Sequence, residues 1–241
     1  MDEEIRIGKA AEILGVTVQT MRNWEKMGKL KANRSAGGQR YYKLQDIQRF
    51  ALDLEIVGWA WAASAQPPEL SDEYYCERQD RFTTRLEKMS TTLLRALGDN
   101  SRDIVSLLTL VVGEIGDNSF AHNVGNWPDV LGIFYAYDIG KRQIVLADRG
   151  RGVRATLKNV RPDLSDDVAA LKVAFTEIIS GRSPEKRGNG LKSVRAVAES
   201  NSVGLYFRSG IGAVYIPKDP GLMHIKMVGE NVRGVYAVIT F

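Results

Sequence analysis

Glu114, Asn118 and His122 recur at four-residue spacing within the stretch LTLVVGEIGDNSFAHN, residues 108–123. Four residues advance an α-helix by just over one turn, so these side chains line one face. Ile104, Leu108, Val111 and Ile115 fall at i, i+4, i+7 and i+11 and form a second, apolar stripe. A helix carrying a carboxylate, an amide and an imidazole beside a core-facing stripe must lie at the edge of a core. Its polar row is then positioned for a ligand.

The rest of the chain limits what that ligand can be. At 241 residues there is room for one large domain or two smaller ones. No uninterrupted apolar run approaches the ~20 residues a membrane helix needs, and residues 56–65 are too short. The opening MDEEIRIGKAAEIL is acidic and then amphipathic, unlike a secretory signal. A soluble, cytoplasmic protein without a membrane partner is expected. One cysteine, Cys76, rules out an internal disulfide framework and a cysteine metal site, and two histidines make a histidine site unpromising. The net charge of +4 is mild, but it is unevenly placed. Between Arg22 and Lys43 stand Arg22, Lys26, Lys29, Lys31, Arg34, Arg40 and Lys43 against the single acid Glu25. That is an electrostatic footprint for a polyanion.

The basic segment sits in a recognisable local pattern. Ile7, Ala10, Ala11 and Leu14 predict a short amphipathic helix that Gly15 ends. Thr17 is placed to cap a second helix running through Trp24 towards Met27, with Gly28 as its stop. Two short helices and a tight turn make a helix-turn-helix. Residues 29–42 then read as a hairpin around Ala36, Gly37 and Gly38. The run TMRNWEKMG (20–28), Arg34 and GQRY (38–41) closely resembles the winged helix-turn-helix of MerR-type regulators and their excisionase-like relatives, over roughly residues 5–50. The resemblance implies binding to double-stranded DNA. Gln19, Thr20, Arg22 and Asn23 would face the major groove, and Arg34, Arg40 and Tyr41 would form the wing. A protein-binding winged helix with solvated bases is the alternative.

A connector follows. Residues 46–65 read as helix, containing Trp59 and Trp61, which two-residue spacing keeps off a common face. They are either core residues or contacts to a neighbouring domain or second chain. Helices after the wing in MerR-type regulators commonly pair subunits, which implies a homodimer. Pro67 and Pro68 break the helix, residues 73–97 resume an amphipathic pattern, and 98–103 form a turn with Asn100 or Ser101 as cap. The expected domains are 1–52, a connector at 53–100, and 101–241, with the second boundary anywhere from 67 to 101.

After the helix of 108–123, residues 131–137 and 143–147 read as a hairpin ending in Asp148-Arg-Gly150-Arg-Gly152. Two spaced glycines after an acid let backbone approach a ligand closely, although the pattern is also a common turn. A helix is expected at 167–179. Gly188-Asn189-Gly190-Leu191 then opens another at 192–200, a good phosphate seat because helix-opening N–H groups are free. Strands are expected at 204–208, 213–216, 224–228 and 235–241. The whole suggests an α+β two-layer sandwich behind an all-α winged helix-turn-helix.

Taken in order, Glu114-x-x-x-Asn118-x-x-x-His122, Asp148-x-Gly150-x-Gly152 and Gly188-x-Gly190-Leu191 closely resemble the ATP-binding domain of the GHKL superfamily, shared by gyrase, heat-shock chaperones, histidine kinases and mismatch-repair ATPases. The resemblance covers roughly residues 101–241 and implies a Bergerat-type fold with ATP and Mg²⁺ as cofactors. It implies that Asn118 holds Mg²⁺, Asp148 accepts the adenine amino group, and Gly150 and Gly152 shape the base pocket. Arg187, Gly188, Asn189, Gly190 and Leu191 would meet phosphate, with Arg182 and Lys186 on the lid. Glu114 would activate water in slow hydrolysis. The chain departs from the family at Gly234-Val235, where a Gly-Thr pair is common, and His122 is as well suited to packing as to ligand contact. The functions implied are a DNA-binding transcriptional regulator coupled to Mg-ATP or, alternatively, an anti-sigma-type or other kinase of a separate protein partner. Residues 53–100 contain no histidine, which argues against a histidine kinase acting on itself.

Overall fold

The computed structural model describes residues 3–35, 37–51, 53–178, 190–219 and 221–241. The expected hairpin-tip residue Ala36 and the expected phosphate-site residues Arg182, Lys186, Arg187, Gly188 and Asn189 lie outside these. The chain divides into two compact units, Met1–Glu69 and Leu70–Phe241.

The first unit contains β1 (Glu4–Arg6), α1 (Ile7–Ile13), α2 (Val18–Lys26), β2 (Asn33–Arg34), β3 (Arg40–Lys43), α3 (Leu44–Ala51) and α4 (Leu54–Ala63). Gly15 turns the chain between α1 and α2 at a φ of +63°, and the Thr17 side chain accepts from the Thr20 N–H to start α2. Ala10, Ala11, Leu14, Met21, Trp24 and Ile47 are buried, and Phe50 meets the Trp24 ring edge-on at 5.5 Å. Two expectations change. The unit is not all-α: β1 and β2 flank β3 in a three-stranded antiparallel sheet. The helix expected over 46–65 is broken, because Asp53 adopts an extended conformation and its side chain accepts from the Glu55 N–H as the cap of α4. Trp59 and Trp61 are both buried.

The second unit contains β4 (Tyr75–Cys76), α5 (Gln79–Leu97), α6 (Arg102–Asn123), β5 (Ile133–Asp138), β6 (Gln143–Asp148), α7 (Gly152–Leu157), α8 (Asp167–Thr176), α9 (Gly190–Ser200), β7 (Gly204–Ile216) and β8 (His224–Thr240). Among the described residues its five strands pair antiparallel in the order β4-β5-β6-β8-β7. Alternate residues of the sheet, including Tyr135, Ile144, Leu146, Phe207, Ala237 and Ile239, share one core with Phe82, Met89, Leu93, Leu108, Val111, Ile115, Phe175 and Val194 from the helices. This is an α+β arrangement with helices over one sheet face. By length and composition α6 could cross a membrane. Leu108, Val111, Val112 and Ile115 are instead buried in this core.

Several boundaries differ from expectation. The segment expected to begin a helix at residue 73 first forms β4, whose Tyr75 and Cys76 pair with Phe134 and Ile133, and α5 starts only at Gln79. Ser101 stands at the start of α6 but its hydroxyl donates back to the Leu97 carbonyl, so it caps nothing. The four C-terminal strands expected are two long ones. Register shifts between Arg208 and Gly210 and between Gly210 and Gly212 absorb the glycines without ending β7.

Candidate functional site

In the first unit the site is a helix face. Thr20, Met21 and Trp24 point into the core of α2, which leaves Gln19, Arg22, Asn23 and Lys26 at i, i+3, i+4 and i+7 on the opposite stripe. Gln19 Nε2 donates to Asn23 Oδ1 at 3.1 Å. Thr20 does not join this stripe: it is 4% exposed, and its hydroxyl lies 2.9 Å from that of Thr17. Arg22, Lys26 and Lys31 are exposed and form no ion pair among the described residues. The two wing arginines converge on one acid. Arg34 donates to Glu25 Oε1 at 2.9 Å and Arg40 to Glu25 Oε2 at 2.6 Å. The Arg40 hydrogen bond foremost, then Arg34, holds the Glu25 carboxyl below its ordinary range. This ties the hairpin to α2, and two cations against one carboxylate leave the pairing net positive. Tyr41, half-buried on β3, pairs with Arg6 and Asn33.

In the second unit the candidate residues gather around α6. Glu114, Asn118 and His122 are half-buried along its edge, and His122 lies in its last turn. Glu114 and Asn118 come together with Gly190, the first residue of α9. A β-carbon on Gly190 would stand 2.5 Å from Glu114 Oε2 and 3.2 Å from Asn118 Nδ2, so a larger residue there would push the Glu114 carboxylate aside. Leu191 is half-buried against the core.

The same helix reaches Asp148. Ser119, one residue after Asn118, donates its hydroxyl to Asp148 Oδ2 at 2.7 Å. Asp148 ends β6, is 2% exposed, and accepts from the Gly150 N–H at 2.8 Å through Oδ1. Burial raises its carboxyl from 3.8 to about 6, against the lowering effect of hydrogen bonds from Ser119, Gly150 and the Val235 N–H. Ser119 Oγ also lies 3.2 Å from the Ile115 carbonyl, and one hydroxyl proton cannot serve both acceptors. It serves the carboxylate when Asp148 is ionised. It can turn to the carbonyl and accept from Asp148 when that group is protonated.

Neighbouring groups fix the turn after Asp148. Asn123 donates to the Ser119 carbonyl at 2.7 Å and accepts from the Arg151 N–H at 2.8 Å. Ser209 accepts from the Val153 N–H, just beyond Gly152, and donates to the Gly234 carbonyl. Gly234 has a φ of +61°, and a β-carbon there would fall 2.1 Å from Asp148 Oδ1. Neither spacing nor motif in the sequence marks Ser119, Asn123, Ser209 or Gly234 as a partner of this turn. Among the described residues no three His, Cys, Asp or Glu side chains gather as a metal site.

Comparison with known proteins bears on the first unit. Residues 6–42 match the family model described as MerR family regulatory protein. This match supports a DNA-binding transcriptional regulator acting on double-stranded DNA. No curated protein and no solved structure matches the chain.

Proposed function

We propose that the chain is a transcriptional regulator of the MerR winged-helix type whose second unit binds Mg-ATP in the manner of GHKL proteins, and that nucleotide binding alters DNA binding or homodimer assembly. One observation carries the nucleotide reading. Three sequence-distant motifs meet on one helix: Glu114 and Asn118 contact the start of α9, and the adjacent Ser119 holds Asp148.

The residues fit the group. A carboxylate offers roughly four acceptor positions. Ser119, Gly150 N–H and Val235 N–H take three at Asp148, leaving one for an exocyclic amino group. Asn118 supplies a neutral oxygen suited to a hard cation, which would take most of its ligands from phosphate and water. α9 opens at Gly190, beside Glu114 and Asn118, and the free N–H groups of a helix start favour a polyphosphate. Bound Mg-ATP would supply a transferable phosphoryl group, and Glu114 would orient water. Any coupling to DNA is reciprocal by thermodynamic necessity. Measuring DNA affinity by fluorescence anisotropy with and without Mg-ATP, for wild type and Asn118→Ala, tests this. A nucleotide-dependent shift that the variant loses supports the proposal. Identical DNA affinities in all four conditions refute the coupling.

A further inference from the structure

Beside the turn after Asp148 lies a cavity of about 550 Å³ whose described lining shares Gly150 and Gly152 with the nucleotide reading but includes none of Glu114, Asn118 and Asp148. Arg151, Arg154 and Lys158 line it from the turn and α7, and Arg233 lines it from β8. Among the described residues the one carboxylate in its wall is Asp167, whose Oδ2 already accepts from the Ile211 N–H at 2.9 Å. Arg151 and Lys158 are exposed and make no ion pair among the described residues. Arg233 is 51% exposed and reaches only Asp129, at 3.4 Å, an acid that Arg149 Nε already holds at 2.7 Å. Arg154 donates to the Ser165 carbonyl, yet its Nε is buried without a hydrogen-bond partner.

Four cations facing one committed carboxylate across a concave surface raise the local positive potential, because low-dielectric walls focus the field. The buried Nε of the half-buried Arg154 adds a donor in search of an acceptor. Arginine forks match phosphate oxygens in pairs. The volume exceeds a bare phosphate ion and falls in the ~300–1,000 Å³ range of small-molecule sites. We propose that this cavity binds a small phosphorylated molecule, through Arg151, Arg154, Lys158 and Arg233, at a place separate from Asp148 and Asn118. Its rim includes Gly150, Gly152 and Gly234, the backbone that also surrounds Asp148, so occupancy bears on the turn itself.

The test is calorimetric titration of the full chain with inorganic pyrophosphate and with ribose 5-phosphate at physiological salt. Three variants accompany it: Arg154→Gln; Arg151→Gln with Lys158→Gln, a pair chosen because both side chains are exposed; and Asn118→Ala. Saturable one-to-one binding of either probe, weakened at least about tenfold by the exposed pair and unchanged by Asn118→Ala, is the expected result, a tenfold change being about 1.4 kcal/mol. Three results overturn the proposal. One is no saturable binding of either probe. Another is binding lost in Asn118→Ala but not in the cavity variants, which would move the anion to the α9 seat. The third is cavity variants that bind the probes normally but lose affinity for double-stranded DNA, which would make the cavity a nucleic-acid contact. The outcome does not depend on whether ATP binds, since both probes lack adenine.

Discussion

The outward stripe of α2 and the cluster around Asp148 are built over very different chain distances. The stripe is local: Gln19, Arg22, Asn23 and Lys26 share a face because a helix repeats every 3.6 residues, and Thr17 starts that helix three positions before Thr20. The Asp148 cluster is not. Ser119 reaches across 29 residues, and Arg151 is tied to Asn123 across 28. A local site survives the loss of any one outward side chain. A site closed by long-range contacts fails when one backbone approach is blocked.

That contrast orders the expected effects. The largest is at Gly234. Alanine there meets both a left-handed backbone and the Asp148 carboxylate, and should destabilise the second unit by about 3 kcal/mol or more, read by urea denaturation. A loss below about 1 kcal/mol would mean the turn relaxes freely. Next is the pH dependence of Asp148. Its carboxyl is raised in the fold from 3.8 to about 6, so between those values the native state binds more protons than the unfolded chain. Unfolding free energy therefore falls as pH rises through that window, by roughly 3 kcal/mol, and Asp148→Asn should flatten the curve. An unchanged slope in the variant would assign the effect elsewhere.

Smaller effects belong to the local site. Thr17→Ala removes the α2 cap and should cost about 1 kcal/mol in thermal unfolding of the first unit. Arg22→Ala should leave stability within about 0.5 kcal/mol while lowering the slope of log DNA affinity against log salt by about one. An unaltered salt slope would remove Arg22 from the phosphate-contacting set.

The same contrast explains what could be read in advance. Helix α2, its Thr17 cap, the β5–β6 hairpin and the apolar stripe of α6 are written in spacings of two to four residues, and they were legible. β1 and β4 were not, since strands of three and two residues carry no periodicity and exist only through their partners β3 and β5. β7 looked like two strands because Gly210 and Gly212 read as stops, whereas the sheet passes them by shifting register. In the candidate site Asp148, Asn118 and Gly190 stood out through motif spacing. Ser119 and Asn123 did not, because a serine and an asparagine near a helix end look like surface residues until the strand they serve is in place.

The most direct test is calorimetric titration of Mg-ATP into the wild-type chain and Asp148→Asn. Saturable binding to the wild type is expected, with an affinity at least about tenfold weaker in the variant, a difference of about 1.4 kcal/mol. Binding to the wild type should also strengthen as pH rises through about 6, because the adenine amino group needs the ionised acceptor. Equal affinity in both proteins, or no binding to either, would contradict it.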